Sequence, residues 1–171
     1  ANIKIPLYKT QNSSDIITSF EANAYNLEKG KIVKTKTDKQ FMFSENIIDK
    51  INLTKVSMQG VKVGSVIEYR YRLERESYSQ IKDWYFQDMI PTRYSEYEIN
   101  VPNFFVFNVQ PTIVDKMDEK AKEFDDVITI GNDAIQVKSS KIKYSMQNLI
   151  GIKNEPHMAA VKDYLQRIEF Q

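Results

Sequence analysis

The sequence offers few of the side chains that carry out covalent chemistry. It contains no cysteine and one histidine, His157, so a Cys-His pair, a two-histidine metal site and a sulfur-ligated metal all lack a partner. A Ser-His-Asp triad needs groups that converge on the imidazole in space. His157 follows Pro156 in a turn-like segment, where a surface or packing role is the ordinary interpretation. We therefore predict no catalytic residue, no metal ligand and no cofactor.

Carboxylates are the remaining candidates for chemistry, because paired Asp and Glu side chains hydrolyse glycosidic bonds when they flank the same cleft. Glu96 and Glu98 share one strand face, and so do Glu68 and Glu74. Each set alternates with apolar residues, so the simpler interpretation is the solvent face of a strand. A stand-alone hydrolase that uses Glu68, Glu96 and Glu98 is therefore one hypothesis for the function, and it ranks third after the two that are given at the end of this section.

Charge and glycine spacing exclude further classes of ligand. The 24 basic and 23 acidic side chains leave a formal net charge of +1, so no global field attracts nucleic acid. The five glycines are too dispersed for a phosphate-binding loop. No apolar run approaches the roughly 20 residues of a membrane-spanning helix, so we predict no transmembrane segment.

Aromatic side chains make up 12% of the chain and are the best candidates for a binding surface. Exposed rings form platforms for sugars, and such a platform is predicted from Tyr78, Trp84, Tyr85, Tyr94 and Tyr97. The alternative, which we favour, makes Trp84 and Phe86 core anchors and leaves tyrosine hydroxyls at the rim of a sheet.

The elements that would position these residues are strands. Apolar and polar residues alternate with a period of two in three segments, which is typical of strands with one wet face: Val61 to Glu74, Glu96 to Val101 and Lys141 to Met146. The run from Phe104 to Val109 is apolar on both faces and predicts a buried strand. Gly30 and Gly131 are expected to close hairpins with positive φ, and Pro91 and Pro102 to lie at strand edges.

Helix candidates are few. Ile47, Ile48 and Ile51 have helical spacing within Glu45 to Ile51, and Val114 to Asp126 is either a helical turn or an irregular loop. Many short strands with little helix predict an all-β fold, an antiparallel β-sandwich with few short helical turns, formed as a single domain over residues 1–171.

Several segments together resemble a known family. The residues that carry the resemblance are Lys4 to Tyr8, Ala24 to Lys34, Val61 to Tyr69, Trp84 to Gln87, Ile90 to Tyr97, Asn154 to Met158 and Arg167 to Phe170. Together they resemble a domain of unknown function that precedes transglutaminase-like domains in exported proteins of Gram-negative bacteria, and the resemblance covers nearly the whole chain.

The resemblance implies a non-catalytic accessory domain in the periplasm or at the cell surface. A transglutaminase-like domain would follow Gln171, and this module would pack against it or present substrate to it. The chain would then be a fragment of a larger protein, with further strands before Lys4. The alternative function is a carbohydrate-binding or cell-wall-binding module, whose partner would be polysaccharide, peptidoglycan or protein.

Overall fold

The computed structural model describes residues 1–9, 14–75, 81–153, 155–156, 158 and 160–171. The described residues form antiparallel β-structure with two short 3₁₀ turns, Lys39–Phe41 and Val161–Tyr164. This confirms the predicted all-β fold. The chain divides into two compact units, Ala1–Ser79 and Gln80–Gln171, called unit 1 and unit 2 below. Among the described residues, no helix has the length and apolar character needed to cross a membrane.

The described part of unit 1 contains six strands: β1 (Asn2–Tyr8), β2 (Ile16–Glu28), β3 (Lys31–Lys36), β4 (Met42–Ile48), β5 (Ile51–Ser57) and β6 (Val66–Glu74). They form two three-stranded sheets, with strand orders β1-β5-β4 and β3-β2-β6. The predicted hairpin between β2 and β3 is confirmed, because Gly30 has a φ of 77° in the turn. The predicted strand over Val61 to Glu74 begins only at Val66, after a turn.

The interior of unit 1 is built from small and medium side chains. Ala22 and Ala24 of β2 and Val56 of β5 are 0% exposed, and Ile5 of β1 is 2% exposed. Ala22, Ala24 and Val56 lie in the central strands of the two sheets. Ile5 lies in an edge strand but pairs with Thr54 of the central strand β5. Strand periodicity therefore places the apolar residues of both sheets where they leave water.

In unit 2 the described residues form six strands: β7 (Trp84–Tyr85), β8 (Thr92–Pro102), β9 (Val109–Thr112), β10 (Asp118–Ile130), β11 (Asp133–Leu149) and β12 (Arg167–Phe170). They form two further sheets, β10-β11-β8 and β7-β12-β9. The hairpin between β10 and β11 turns at Gly131, whose φ is 64°. As predicted, Pro91 immediately precedes a strand and Pro102 ends it.

Unit 2 is a two-layer sandwich, because its core draws side chains from both sheets. Tyr144, Met146 and Leu149 of β11 pack in one cluster with Phe86 and with Ile168 of β12. Ile168 is 0% and Phe86 1% exposed, and full burial of a side chain of this size contributes about 1.5 to 3 kcal/mol. Phe86 is therefore a core anchor, as one of the two interpretations of the aromatic segment predicted.

Neither of the two candidate helical segments forms a helix, and most of each lies in strands. Glu45 to Ile51 lies in β4 and the turn that leads into β5, and Ile48 pairs with Ile51 across that turn. A two-residue hairpin turn brings residues i and i+3 close together, as a helix also does. The spacing of Ile48 and Ile51 therefore fits both structures, and the prediction of a helix was wrong. Most of Val114 to Asp126 belongs to β10, which pairs with β11 along its whole length. Its hydrogen bonds to β11 make this segment a strand, although its sequence lacks the apolar alternation that is typical of one.

The prediction of a buried strand over Phe104 to Val109 is also wrong. Phe104 to Asn108 form a loop, and β9 begins at Val109. The backbone N–H of Phe105 donates to the carbonyl of Pro102 at 2.9 Å, which closes a turn where β8 ends. The apolar residues of this loop are left in contact with solvent.

Candidate functional site

Two of the predicted platform residues, Trp84 and Tyr97, come together as a wall of the unit 2 core. Their ring centroids are 5.4 Å apart, and Tyr97 also lies 5.5 Å from the ring of Phe170. The Trp84 Nε1–H donates to Ser95 Oγ at 3.2 Å. The indole is therefore fixed by packing and by a hydrogen bond, as expected of a partly buried tryptophan. Burial raises the pKa of Tyr97 above its ordinary value.

Strand alternation separates the other predicted platform residues from this pair. Trp84 and Tyr85 are successive residues of β7 and so point to opposite faces. Tyr94 and Tyr97 likewise lie on opposite faces of β8, and Tyr94 is 52% exposed. Tyr78 lies outside the described residues, as does His157. The structure thus brings Trp84 and Tyr97 together and does not place Tyr85 or Tyr94 beside them.

Tyr94 belongs instead to a polar row on the outer face of β8 and β11. Its hydroxyl donates to Glu96 Oε2, and Lys143 Nζ lies 3.1 Å from Glu96 and 3.7 Å from Glu98. The hydrogen bond from Tyr94, followed by the one from Lys143, lowers the pKa of Glu96. The same row raises the pKa values of Tyr94 and Lys143.

The carboxylates of the hydrolase hypothesis are thus engaged in surface contacts. Lys141 Nζ lies 2.7 Å from Glu98, and in unit 1 the hydroxyl of Tyr25 donates to Glu68 at 2.7 Å. Among the described residues, no group of three His, Cys, Asp or Glu side chains could hold a metal ion.

The strongest candidate site was not predicted from the sequence. It is an apolar cleft of about 330 Å³ in unit 2, at the end of the sandwich where β8 stops. Its floor comes from the inward faces of β8 and β11, and its wall from the following loop and β12. The main contributors are Ile99, Val101, Ile142, Tyr144, Phe105 and Phe170.

Apolar side chains of the loop after β8 lie at the edge of the cleft and beside it. Phe104 is 54%, Phe105 41% and Val106 90% exposed. The ring centroids of Phe104 and Phe105 are 4.6 Å apart, and those of Phe105 and Phe107 6.1 Å. We call residues 104–107 the aromatic rim. Such a cluster beside a cleft is typical of a binding surface rather than of scattered surface apolar residues.

Polar contacts hold the aromatic rim in place. The backbone N–H of Asn103 donates to the carbonyl of Lys138 at 2.8 Å. Its side chain donates to Glu123 Oε1 at 3.1 Å and accepts from Ser140 Oγ at 2.8 Å. Asn103 therefore fastens the start of the loop to both β10 and β11, so that the rings are presented from a supported base.

The far end of the rim is tied to the last strand. Asn108 and Gln171 exchange two backbone hydrogen bonds, at 2.9 and 3.0 Å, which extend the ladder between β9 and β12. Because β12 also contributes Phe170 to the cleft, Gln171 lies next to the aromatic rim. A sequence signal for this loop existed: the turn-favouring pair Pro102-Asn103 directly precedes the apolar run.

The fold and the cleft define an all-β chain with an apolar cleft and surface ion pairs. Comparison with known families identifies it further. The chain belongs to DUF3857, a domain of unknown function with a solved structure, whose family model matches residues 8–129. That range includes most of unit 1 and unit 2 as far as β10. No curated protein and no solved structure matched the chain.

Proposed function

We propose that this chain is a non-catalytic binding module that acts through the apolar cleft of unit 2. Its role is that of an accessory domain in an exported protein of the periplasm or cell surface. There it packs against a transglutaminase-like domain, or presents substrate to it. The observation that carries the proposal is the aromatic rim, which exposes three large apolar side chains beside a 330 Å³ cleft.

Exposed apolar side chains gain free energy when a partner covers them. Burial of a Phe or Val side chain contributes about 1.5 to 3 kcal/mol relative to leaving it in water. The cleft volume lies near the lower end of the range for binding pockets, about 300 to 1,000 Å³. It fits one or two apolar side chains of a protein partner, and the hydrogen-bonded pair Asn103 and Ser140 forms its polar edge.

The geometry of β12 favours a partner in the same polypeptide. Since Gln171 is hydrogen bonded to Asn108, a domain joined at Gln171 would start at the aromatic rim. Because the effective concentration of a tethered partner is high, such a partner would occupy the cleft even if the apolar contact were small. The family resemblance supports a transglutaminase-like domain as that partner.

Two valines make a matched test, because Val106 and Val114 are each 90% exposed but only Val106 lies at the cleft. The chain is titrated with a separately produced transglutaminase-like domain, the partner that the proposal places after Gln171, and the heat of binding is measured by calorimetry. We expect Val106→Asp to raise the dissociation constant about tenfold or more, as loss of a desolvated apolar contact does. Val114→Asp should leave it unchanged.

Equal affinities for wild type and Val106→Asp would contradict the proposal. So would unchanged amide exchange at residues 104–108 when the two domains are joined in one chain. Peptidoglycan fragments and polysaccharides are titrated in the same way. The carbohydrate-binding alternative would replace the accessory role if two results were found together. The chain would bind a glycan in a way that Val106→Asp abolishes, and it would show no heat of binding with the domain.

A further inference from the structure

Strand β6 presents an open edge in unit 1. It is the outer strand of the sheet β3-β2-β6, and among the described residues it pairs with β2 alone. Eight of its nine residues are exposed, and Leu73 is half-buried. Its sequence, Val66 to Glu74, contains no proline, glycine or lysine. On its outer edge, a strand of this length presents a row of backbone donors and acceptors that can pair with another strand.

The other edge strands of unit 1 each carry a feature that discourages pairing. Strand β1 contains Pro6, which has no backbone N–H. The ladder between β4 and β5 is irregular between Asn46 and Ile48. Strand β3 holds three lysines in six residues, Lys31, Lys34 and Lys36. Such devices block association at edges. Strand β6 contains no proline and no lysine, and the irregularity in its ladder with β2 lies near its end, opposite Arg72 and Leu73.

The inner face of β6 adds apolar surface to this edge. Ile67, Tyr69 and Tyr71 are 37%, 49% and 45% exposed. Ile67 and Tyr69 lie opposite Ala24 and Ala22 of β2, which are fully buried. The apolar layer of the sheet therefore continues out to the open edge, where an added strand would extend it.

The outer face of β6 shows which strand fits. In antiparallel pairing of β6 with itself about Tyr69, Glu68 of each copy lies opposite Arg70 of the other. Centring the pair on Arg70 would oppose Glu68 to Arg72 but would also place the two Arg70 side chains opposite each other, a repulsion that the Tyr69 register avoids. Centring it on Tyr71 would oppose Arg70 to Arg72 and Glu68 to Glu74. Opposite charges across a strand pair stabilise it and like charges destabilise it, so the Tyr69 register is preferred.

We propose that two copies of this chain associate through β6, antiparallel and centred on Tyr69, to join two sheets into one of six strands. Charges already present on the outer face extend across this junction. Arg70 Nη2 lies 2.9 Å from Glu21 of β2, and its side chain remains 81% exposed. In the pair, each Arg70 lies between Glu21 of its own copy and Glu68 of the other.

Charge reversal tests the register directly. Glu68→Arg places two arginines opposite two arginines in the proposed pair, and Arg70→Glu places glutamates opposite glutamates. We expect the wild-type chain to show a concentration-dependent dimer by sedimentation velocity. Each variant alone should raise the dimer dissociation constant about tenfold or more, because two cross-strand pairs become repulsive. An equimolar mixture should dimerise again, since every Arg then faces a Glu.

Reversals on the exposed strand β10, Glu119→Arg and Lys120→Glu, change the net charge equally and serve as controls. They should dimerise as the wild type does, and circular dichroism should show that all four variants are folded. A wild-type chain that stays monomeric at every concentration would overturn the proposal. So would variants that dimerise normally alone, or that fail to dimerise when mixed.

Discussion

The side chain of Gln166 holds together three segments of unit 2. It is 6% exposed, and its Oε1 accepts the backbone N–H groups of Val114 and Asp115 at 2.9 and 2.8 Å. Its Nε2 donates to Gln87 Oε1 at 2.9 Å and to Asp115 Oδ2 at 2.7 Å. One side-chain amide therefore provides hydrogen-bond partners for a loop that has little secondary structure of its own.

We predict that Gln166→Leu lowers the free energy of unfolding by about 2 to 4 kcal/mol, because the buried side-chain oxygen of Gln87 loses its donor and two part-buried backbone N–H groups lose their acceptor. Urea denaturation followed by Trp84 fluorescence measures it. Gln110→Leu is the matched control: Gln110 also forms side-chain hydrogen bonds, with Gln171, but these are exposed. It should change stability by less than about 0.5 kcal/mol. Equal effects would contradict this role for Gln166.

A second prediction at this scale concerns the acidity of Glu96. Its pKa lies below the ordinary value of 4.5, first because Tyr94 donates to it and then because Lys143 does. A pKa lowered by folding stabilises the native state above the unfolded pKa, and this contribution is lost as pH falls through the folded pKa. Tyr94→Phe should raise the pKa of Glu96 in a carboxyl NMR titration. An unchanged value would show that Tyr94 is not the main cause.

At the scale of elements, an ion pair fastens the start of β2 to the end of β6. Arg75 donates to both carboxylate oxygens of Asp15, at 2.7 and 2.6 Å, and the Asp15 side chain is 3% exposed. The same carboxylate accepts the backbone N–H of Tyr8 at 3.0 Å. Its hydrogen bond to Arg75 raises the pKa of the guanidinium, which stays charged at any accessible pH.

Removal of this guanidinium should destabilise unit 1. We predict that Arg75→Ala lowers the free energy of unfolding by about 3 kcal/mol, since a buried carboxylate loses its cation. Arg72→Ala removes an exposed arginine that lies 3.6 Å from Glu74 and should cost less than about 1 kcal/mol. Thermal unfolding followed by far-ultraviolet circular dichroism compares them. Similar melting temperatures for the two variants would refute the prediction.

The elements also show where sequence patterns are ambiguous. The alternation in β8 and β11 predicted their inward faces correctly, and Tyr97 and Ile99 do pair with Tyr144 and Ile142. That pattern is reliable because one face of each strand is wet. The charged β10 has no such alternation, since nearly all its residues are exposed. Only its hydrogen bonds to β11, which no local pattern encodes, make it a strand.

At the scale of the whole molecule, each unit has its own core. The ring contacts and the indole hydrogen bond of Trp84 are all made within unit 2, to Tyr97 and Ser95. We predict that a fragment of residues 80–171 folds alone and shows the same Trp84 emission maximum as the intact chain. Emission at the wavelength of the urea-unfolded fragment would contradict this. Trp84 is the only tryptophan, so the signal is unambiguous.

The sequence by itself determined the class of fold, because period-two alternation and turn-forming glycines depend on neighbouring residues along the chain. It also limited the candidates for covalent chemistry to carboxylates. Only the tertiary structure decided which aromatic rings meet, since the face a ring occupies depends on strand register. It also placed the aromatic rim in solvent, because β8 ends at Pro102 and the following turn carries Phe104 to Val106 away from the core.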